Sequence, residues 1–295
     1  MQTLADSDRP GVGVDPRGRR RTTARRPVQV LLGGLAALGL LVGCGSSDAP
    51  SEPDTSSDEP QVVDLEVGGQ SAVAVVPPGD DPTGLVLYVH GHGETHDSLT
   101  GGSDQKRVTD RLVADGYVVA ASDAHFNAWG NEASQQDYVA LAAELKSRYD
   151  TPQTFLLAES MGGVAALQIL AGDQIPDLAG LAGISMLVDP TVAADTEYGE
   201  ELRAAYGGQL PTGTQNPLNI PAEQFAGDPI RLYIAPEDST VVYAENAEPF
   251  LAKLQGVADI SAVGCEGGHI DPSCFQPDDL AEWFEANALV PGSGN

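Results

Sequence analysis

The chain holds only three cysteines, and none forms a Cys-x-x-Cys pair, so a paired-thiol metal site is excluded. Aromatic residues make up 5 %, with two tryptophans, which argues against a broad stacking platform for carbohydrate. Positive charge is scarcest: 15 Lys and Arg stand against 43 Asp and Glu, a formal net charge of -28. Seven of the basic residues (Arg9, Arg17, Arg19, Arg20, Arg21, Arg25, Arg26) precede Cys44, opposed there only by Asp6, Asp8 and Asp15. The rest of the chain therefore carries eight basic against forty acidic side chains. A field of that sign argues against nucleic acid as a partner and against anionic substrates. It also fits a salty medium, where self-repulsion is screened. Hydrophobic residues, at 41 %, suffice for a full core.

The first 43 residues have the parts of a secretory signal: a basic stretch, an apolar run from Val28 to Val42 broken by Gln29 and glycines, and small residues before Cys44. The run is short of the roughly 20 apolar residues of a spanning helix. Leu41-Val42-Gly43-Cys44 resembles the bacterial lipobox. That resemblance implies export, lipidation of Cys44 and attachment to the membrane through an N-terminal lipid anchor; the alternative is an uncleaved signal anchor. The arginine pairs resemble a twin-arginine signal, but Pro27-Val28 after Arg26 departs from it, so the export route stays open. With Cys44 given to lipid, Cys265 and Cys274 remain, an even pair that predicts a disulfide in an exported protein. Residues 45–60, rich in Ser, Asp, Pro and Glu, read as a flexible linker.

Residues 61–289 read as one domain. Val62–Val67 and Ala72–Val76 predict a hairpin around Gly68-Gly69, and Leu85–Val89 a strand buried on both faces. Further strands are expected at Tyr117–Ala121, Phe155–Ala158, Leu181–Leu187, Ile230–Ala235 and Ile260–Val263. Helical patterns fall at Asp104–Asp115, Glu132–Arg148, Met161–Leu170, Val241–Leu254 and Pro277–Ala288. This alternation predicts an α/β fold with a mostly parallel central sheet, helices on both faces and an antiparallel N-terminal edge. Residues 189–228 break the rhythm with one short helix (Glu200–Tyr206) and a Pro/Gly/Asn-rich stretch, as expected of a lid-like insertion.

Phe155-Leu156-Leu157-Ala158-Glu159-Ser160-Met161-Gly162-Gly163 runs from a buried strand through a serine among small neighbours into a helix. Such a turn lifts the hydroxyl clear of the sheet and aims it at a helix N-terminus, where free N–H groups favour negative charge. It resembles the nucleophile elbow of the α/β-hydrolase family, with Ala158 where the family usually has glycine. The resemblance extends over about Gln61–Leu289 and implies an esterase- or lipase-like serine hydrolase of that fold. It implies the order serine, acid, histidine: Ser160 as nucleophile, Asp238 after strand Ile230–Ala235 with Glu237 as its rival, and His269 as base. His269 is the only histidine downstream of Ser160. His90-Gly91-His92-Gly93 resembles the family's HGxG loop, which implies an oxyanion hole from the Met161 N–H and that of His92, with Gly91 as rival. His125, Phe126 and Trp129, with Asp123, are candidates to line the cleft. His90, His92 and His96 could also suit zinc, but the strand and glycines already account for that loop, so neither metal nor cofactor is expected.

The resemblance thus implies cleavage of small-molecule or lipid carboxylic esters through an acyl-enzyme. The alternatives are a peptidase or amidase with the same residues, and an inactive cell-surface binding protein on this scaffold. The oligomeric state is open.

Overall fold

The computed structural model describes residues 59–289. The predicted signal segment, Cys44 and almost all of the 45–60 linker lie outside the described residues. No helix among the described residues is long and apolar enough to cross a membrane.

The first two strands, β1 (Gln61–Val67) and β2 (Gln70–Val76), pair antiparallel. Gly68 (φ 64°) and Gly69 (φ 83°) both turn left-handed between them, a conformation that tight hairpin loops require and side chains resist. The remaining strands are β3 (Gly84–Val89), β4 (Tyr117–Ser122), β5 (Thr154–Glu159), β6 (Leu178–Ile184), β7 (Pro229–Ile234) and β8 (Asp259–Gly264). Together they form one sheet of order β1-β2-β4-β3-β5-β6-β7-β8. β2 lies antiparallel on β4, and every pair from β4 to β8 is parallel.

The period of two along each buried strand sorts its side chains to opposite faces. Leu85, Leu87, Val89, Leu156 and Ala158 pack with side chains of α3 (Glu132–Tyr149), α4 (Gly162–Ala171) and α6 (Ala247–Leu254). Val86, Tyr88, Phe155 and Leu157 pack with those of α2 (Ser103–Ala114) and α7 (Pro277–Ala286). Two other helices, α1 (Ser98–Gly101) and α5 (Gly199–Ala205), are short.

The chain order reverses at β3. Its next strand, β4, lies on one side of it, and the one after, β5, on the other. The connections leaving β3 and β5 diverge above the sheet, and a crevice opens beyond their carboxyl ends. The loop His90–Gly93 and Ser160 stand at that crevice.

The expected strand Leu181–Leu187 ends at Ile184, because Ser185 turns left-handed (φ 45°) and leaves the ladder. The expected helix Val241–Leu254 is divided into a 3-10 turn (Tyr243–Glu245) and α6. Asn246 breaks it: its buried side chain accepts from the N–H groups of Val188 (3.2 Å) and Asp189 (3.0 Å). The 189–228 segment is more ordered than its composition predicts. Four 3-10 turns accompany α5, and Ala193 and Leu202 pack with Trp129, Met161, Val164, Leu187 and Val241 in a third apolar cluster.

Candidate active site

Ser160 follows the last residue of β5 directly and holds φ 46°. Its backbone is over-determined, as such strained positions must be. The N–H donates to Ile184 O (3.0 Å), and the carbonyl accepts from Gly163 N (3.0 Å) and Leu187 N (2.8 Å). α4 begins two residues later, close against the end of β3. A Cβ at Gly162 would lie 2.1 Å from Val89 O, and one at Gly163 1.9 Å from Met186 Cγ. Ala158, by contrast, is buried without difficulty in the α3/α4 face of the core.

The structure brings the three side chains implied by the sequence resemblance into one line. Ser160 Oγ lies 2.8 Å from His269 Nε2, and His269 Nδ1 lies 2.6 Å from Asp238 Oδ2. The other carboxylate oxygen, Asp238 Oδ1, accepts from the N–H groups of Thr240 and Val241, each at 2.8 Å. Those two bonds fix the carboxylate plane and make the aspartate, with its side chain 3 % exposed, a buried acceptor for the ring. This arrangement puts the Nδ1 proton toward Asp238 and leaves Nε2 to accept from the serine hydroxyl. Glu237, the rival acid, has no place in the line.

The loop carrying His269 is held at two points. Ile270 N donates to Ser185 Oγ (3.2 Å), and Cys265 and Cys274 are joined in a disulfide across the loop. Ser185 was not among the sequence candidates; only the turn it makes after β6 gives it this role.

Of the two oxyanion candidates on the loop after β3, Gly91 is disfavoured. Its N–H donates to Glu94 Oε2 (2.9 Å). The N–H groups of His92 and Met161 have no protein acceptor among the described residues. The His92 ring packs edge-on to Tyr198 (4.9 Å between centroids) and near Trp129 (5.8 Å). Glu201 of α5 gathers this corner. Its Oε1 lies 2.7 Å from Trp129 Nε1 and 2.9 Å from His92 Nε2, and its Oε2 accepts from Asn127 Nδ2 (3.1 Å). Asn127 Oδ1 in turn accepts from Gly93 N (2.7 Å). Glu201 carried no sequence signal beyond membership of a short helix, and Tyr198, just before that helix, carried none.

A cavity of about 360 Å³ opens over Ser160, lined by Met161, Leu187, Val192, Ala193, Val241 and Ile270, with His92, Trp129 and Tyr198 forming an aromatic wall and Glu197 also lining it. Trp129 thus reaches the cleft, but His125 and Phe126 do not line it. The left-handed run Ala124–Phe126 turns them outward. His125 Nδ1 lies 2.6 Å from Asp137 Oδ2, and Phe126 is 46 % exposed. Asp123 is engaged with His96 (2.5 Å). The loop histidines disperse: the His90 ring faces the carbonyls of Gly91 and Asp123, His92 faces Glu201, and His96 faces Asp123. No group of three or more His, Cys, Asp or Glu among the described residues is arranged to hold a metal.

No family model matches the sequence, nor does any curated protein. Solved structures match the fold. An esterase/lipase from an uncultured bacterium is 20 % identical with a TM-score of 0.61, over 79 % of this chain and 87 % of that one. FphF, a fluorophosphonate-binding serine hydrolase of Staphylococcus aureus, is 13 % identical with a TM-score of 0.61, over 79 % of this chain and all of that one. Puromycin hydrolase is 17 % identical with a TM-score of 0.62, over 83 % of this chain and 42 % of that one. The chain has the α/β-hydrolase fold.

Proposed function

We propose that this chain is a serine hydrolase that cleaves carboxylic esters through an acyl-enzyme. The observation that carries the proposal is the line from Ser160 Oγ through His269 to Asp238, at 2.8 and 2.6 Å. Ser160 Oγ attacks the carbonyl carbon while His269 Nε2 takes its proton. Asp238 orients the ring and stabilises the imidazolium without taking the proton itself. The N–H groups of Met161 and His92 receive the oxyanion. As the intermediate collapses, the imidazolium returns the proton to the departing alkoxide. A water then repeats the sequence on the acyl-serine, with His269 again as base, and frees the acid.

The apolar lining beside Ser160 suits a small to medium acyl group, and Glu197 with the acidic surface favours neutral or cationic substrates. The 189–228 segment serves as the wall of this cavity. The same groups would serve amide cleavage, and the fold likeness to puromycin hydrolase keeps that second reading in view. The test is covalent labelling by a fluorophosphonate, followed by a panel of chromogenic acyl esters of graded length against aminoacyl amides. Labelling at Ser160, lost in Ser160→Ala, with turnover of esters over amides, is the expected result. An unlabelled protein inert to both would reject it.

We further propose that the chain is exported and held at the membrane by a lipid on Cys44, with 45–60 as tether. Cys44→Ala should abolish incorporation of labelled fatty acid and release the protein from the membrane fraction. Retention with no lipid incorporated into the unaltered chain would favour the signal-anchor alternative.

A further inference from the structure

Behind the nucleophile lies a carboxyl that the proton relay does not use. Glu159, the last residue of β5, is 1 % exposed and points to the face opposite Ala158. Its Oε2 accepts from Tyr88 Oη and from Gln105 Nε2 (3.0 Å). Its Oε1 is buried and has no hydrogen-bond partner. The same Gln105 Nε2 donates to Glu94 Oε1 (2.9 Å), so one amide bridges two carboxyls. Glu94 Oε2 accepts from Gly91 N and lies 3.4 Å from Tyr88 Oη. The two groups meet under the loop: a Cβ at Gly91 would lie 3.2 Å from Glu159 Oε1 and 3.4 Å from Glu94 Oε2. No lysine, arginine or histidine among the described residues forms an ion pair with either one.

Two carboxyls bridged by one amide, one of them fully buried and the other half-buried, cannot both ionise cheaply. We propose that Glu159 stays neutral beside Glu94, and that its proton positions the oxyanion loop: with no charge set against it, Glu94, braced by Gln105, fixes the Gly91 N–H and with it the adjoining His92 amide. The inference rests on the serine-hydrolase reading of Ser160. Glu159 carries the proton, on the oxygen that has no donor facing it, while its other oxygen receives Tyr88 and Gln105. Burial, and then the charge of Glu94, push the Glu159 carboxyl up to about 8. The groups facing it are Tyr88 from β3, Glu94 from the loop, and Gln105 and Asp104 from α2; none supplies a positive charge. When Glu159 ionises, its charge repels Glu94, the Gly91 N–H loses its acceptor and the His92 amide drifts. Both glutamates are positioning residues, since neither reaches the substrate.

The rate of Ser160 labelling by a fluorophosphonate, followed against pH, tests the inference without knowledge of the natural substrate. The unaltered protein should lose roughly tenfold in rate between pH 7 and 9.5, with a midpoint near 8. That is well short of the roughly 10²–10³ expected for outright loss of an oxyanion donor. Glu159→Gln, which cannot ionise, should show no alkaline fall relative to its own plateau. Glu94→Ala should label about tenfold more slowly at pH 7, and Glu94→Gln, which keeps an acceptor for Gly91, should recover most of that rate.

Melting temperature gives a second readout. Below pH 4.5 both folded and unfolded chains hold the Glu159 proton. From 4.5 to about 8 only the folded chain does, so this group costs the fold more as pH rises, and above about 8 the cost is constant. The advantage of Glu159→Gln over the unaltered chain should therefore grow through that window and then level off. An alkaline fall that persists in Glu159→Gln, a flat profile in the unaltered chain, or a melting difference independent of pH would overturn the inference. Absence of labelling at every pH would instead reject the serine-hydrolase reading on which it stands.

Discussion

Asp238 does two jobs with two oxygens, one turned to backbone N–H groups and one to the imidazole. Asp238→Asn keeps an acceptor for Thr240 and Val241 but places an amide, without charge, against His269 Nδ1. The expected outcome is a fall in kcat of about 10⁴ with little change in melting temperature, measured by ester turnover and thermal scan. Gly162→Ala should do the reverse. A methyl 2.1 Å from Val89 O forces α4 off β3 and should cost about 3 kcal/mol or more in urea unfolding, whatever remains of activity. At this scale Ser160, Asp238 and His269 were legible because each sits in a local pattern, and because no second histidine follows the serine. Glu159 and Glu94 were not. Their meaning is a contact across 65 positions of sequence, and a glutamate before the serine looks no different from a solvated one. His125 and Phe126 were misplaced for a related reason, since proximity to a strand end says nothing about a left-handed turn that points them outward.

Among elements, the alternation of apolar strands with amphipathic helices was open to reading because period and burial follow directly from the backbone geometry. The 189–228 segment was not, since its order comes from tertiary partners. Glu201 is the clearest of them: one carboxylate joins α5 to His92, Trp129 and Asn127, and so ties the cavity wall to the loop after β3. Glu201→Ala should lower kcat/KM roughly tenfold by loosening both. A steady-state comparison would show it, and an unchanged value would separate the wall from the loop. The His269 loop is a second case. The disulfide Cys265–Cys274 spans a separation of nine residues and encloses His269. Cys265→Ser with Cys274→Ser should lose activity at temperatures well below global unfolding, since the loop can open while the sheet holds. Equal inactivation and unfolding temperatures would show that the bridge matters only to overall stability.

For the molecule as a whole, the unequal charge demands its own account. All eight basic residues of the described part are engaged. Six pair with carboxylates: Lys106 with Asp110, Arg107 with Asp104, Arg111 with Asp115 and Asp278, Lys146 with Asp177, Arg148 with Glu144, and Arg231 with Asp279. The other two, Arg203 and Lys253, donate to backbone carbonyls. No reserve of positive charge remains to offset the 36 acidic side chains of the described part, so relief must come from counterions. The screening length falls from about 10 Å at 0.1 M salt to about 3 Å at 1 M, which removes repulsion between surface carboxylates before it weakens the close pairs. Melting temperature should therefore climb with sodium chloride, by roughly 2–4 °C for each kcal/mol of repulsion relieved, and most of the climb should fall below about 1 M. A rise that continued linearly to several molar would point to salt exclusion from apolar surface instead. A melting temperature unchanged from low to molar salt would show that the carboxylates already lie far enough apart to ignore one another.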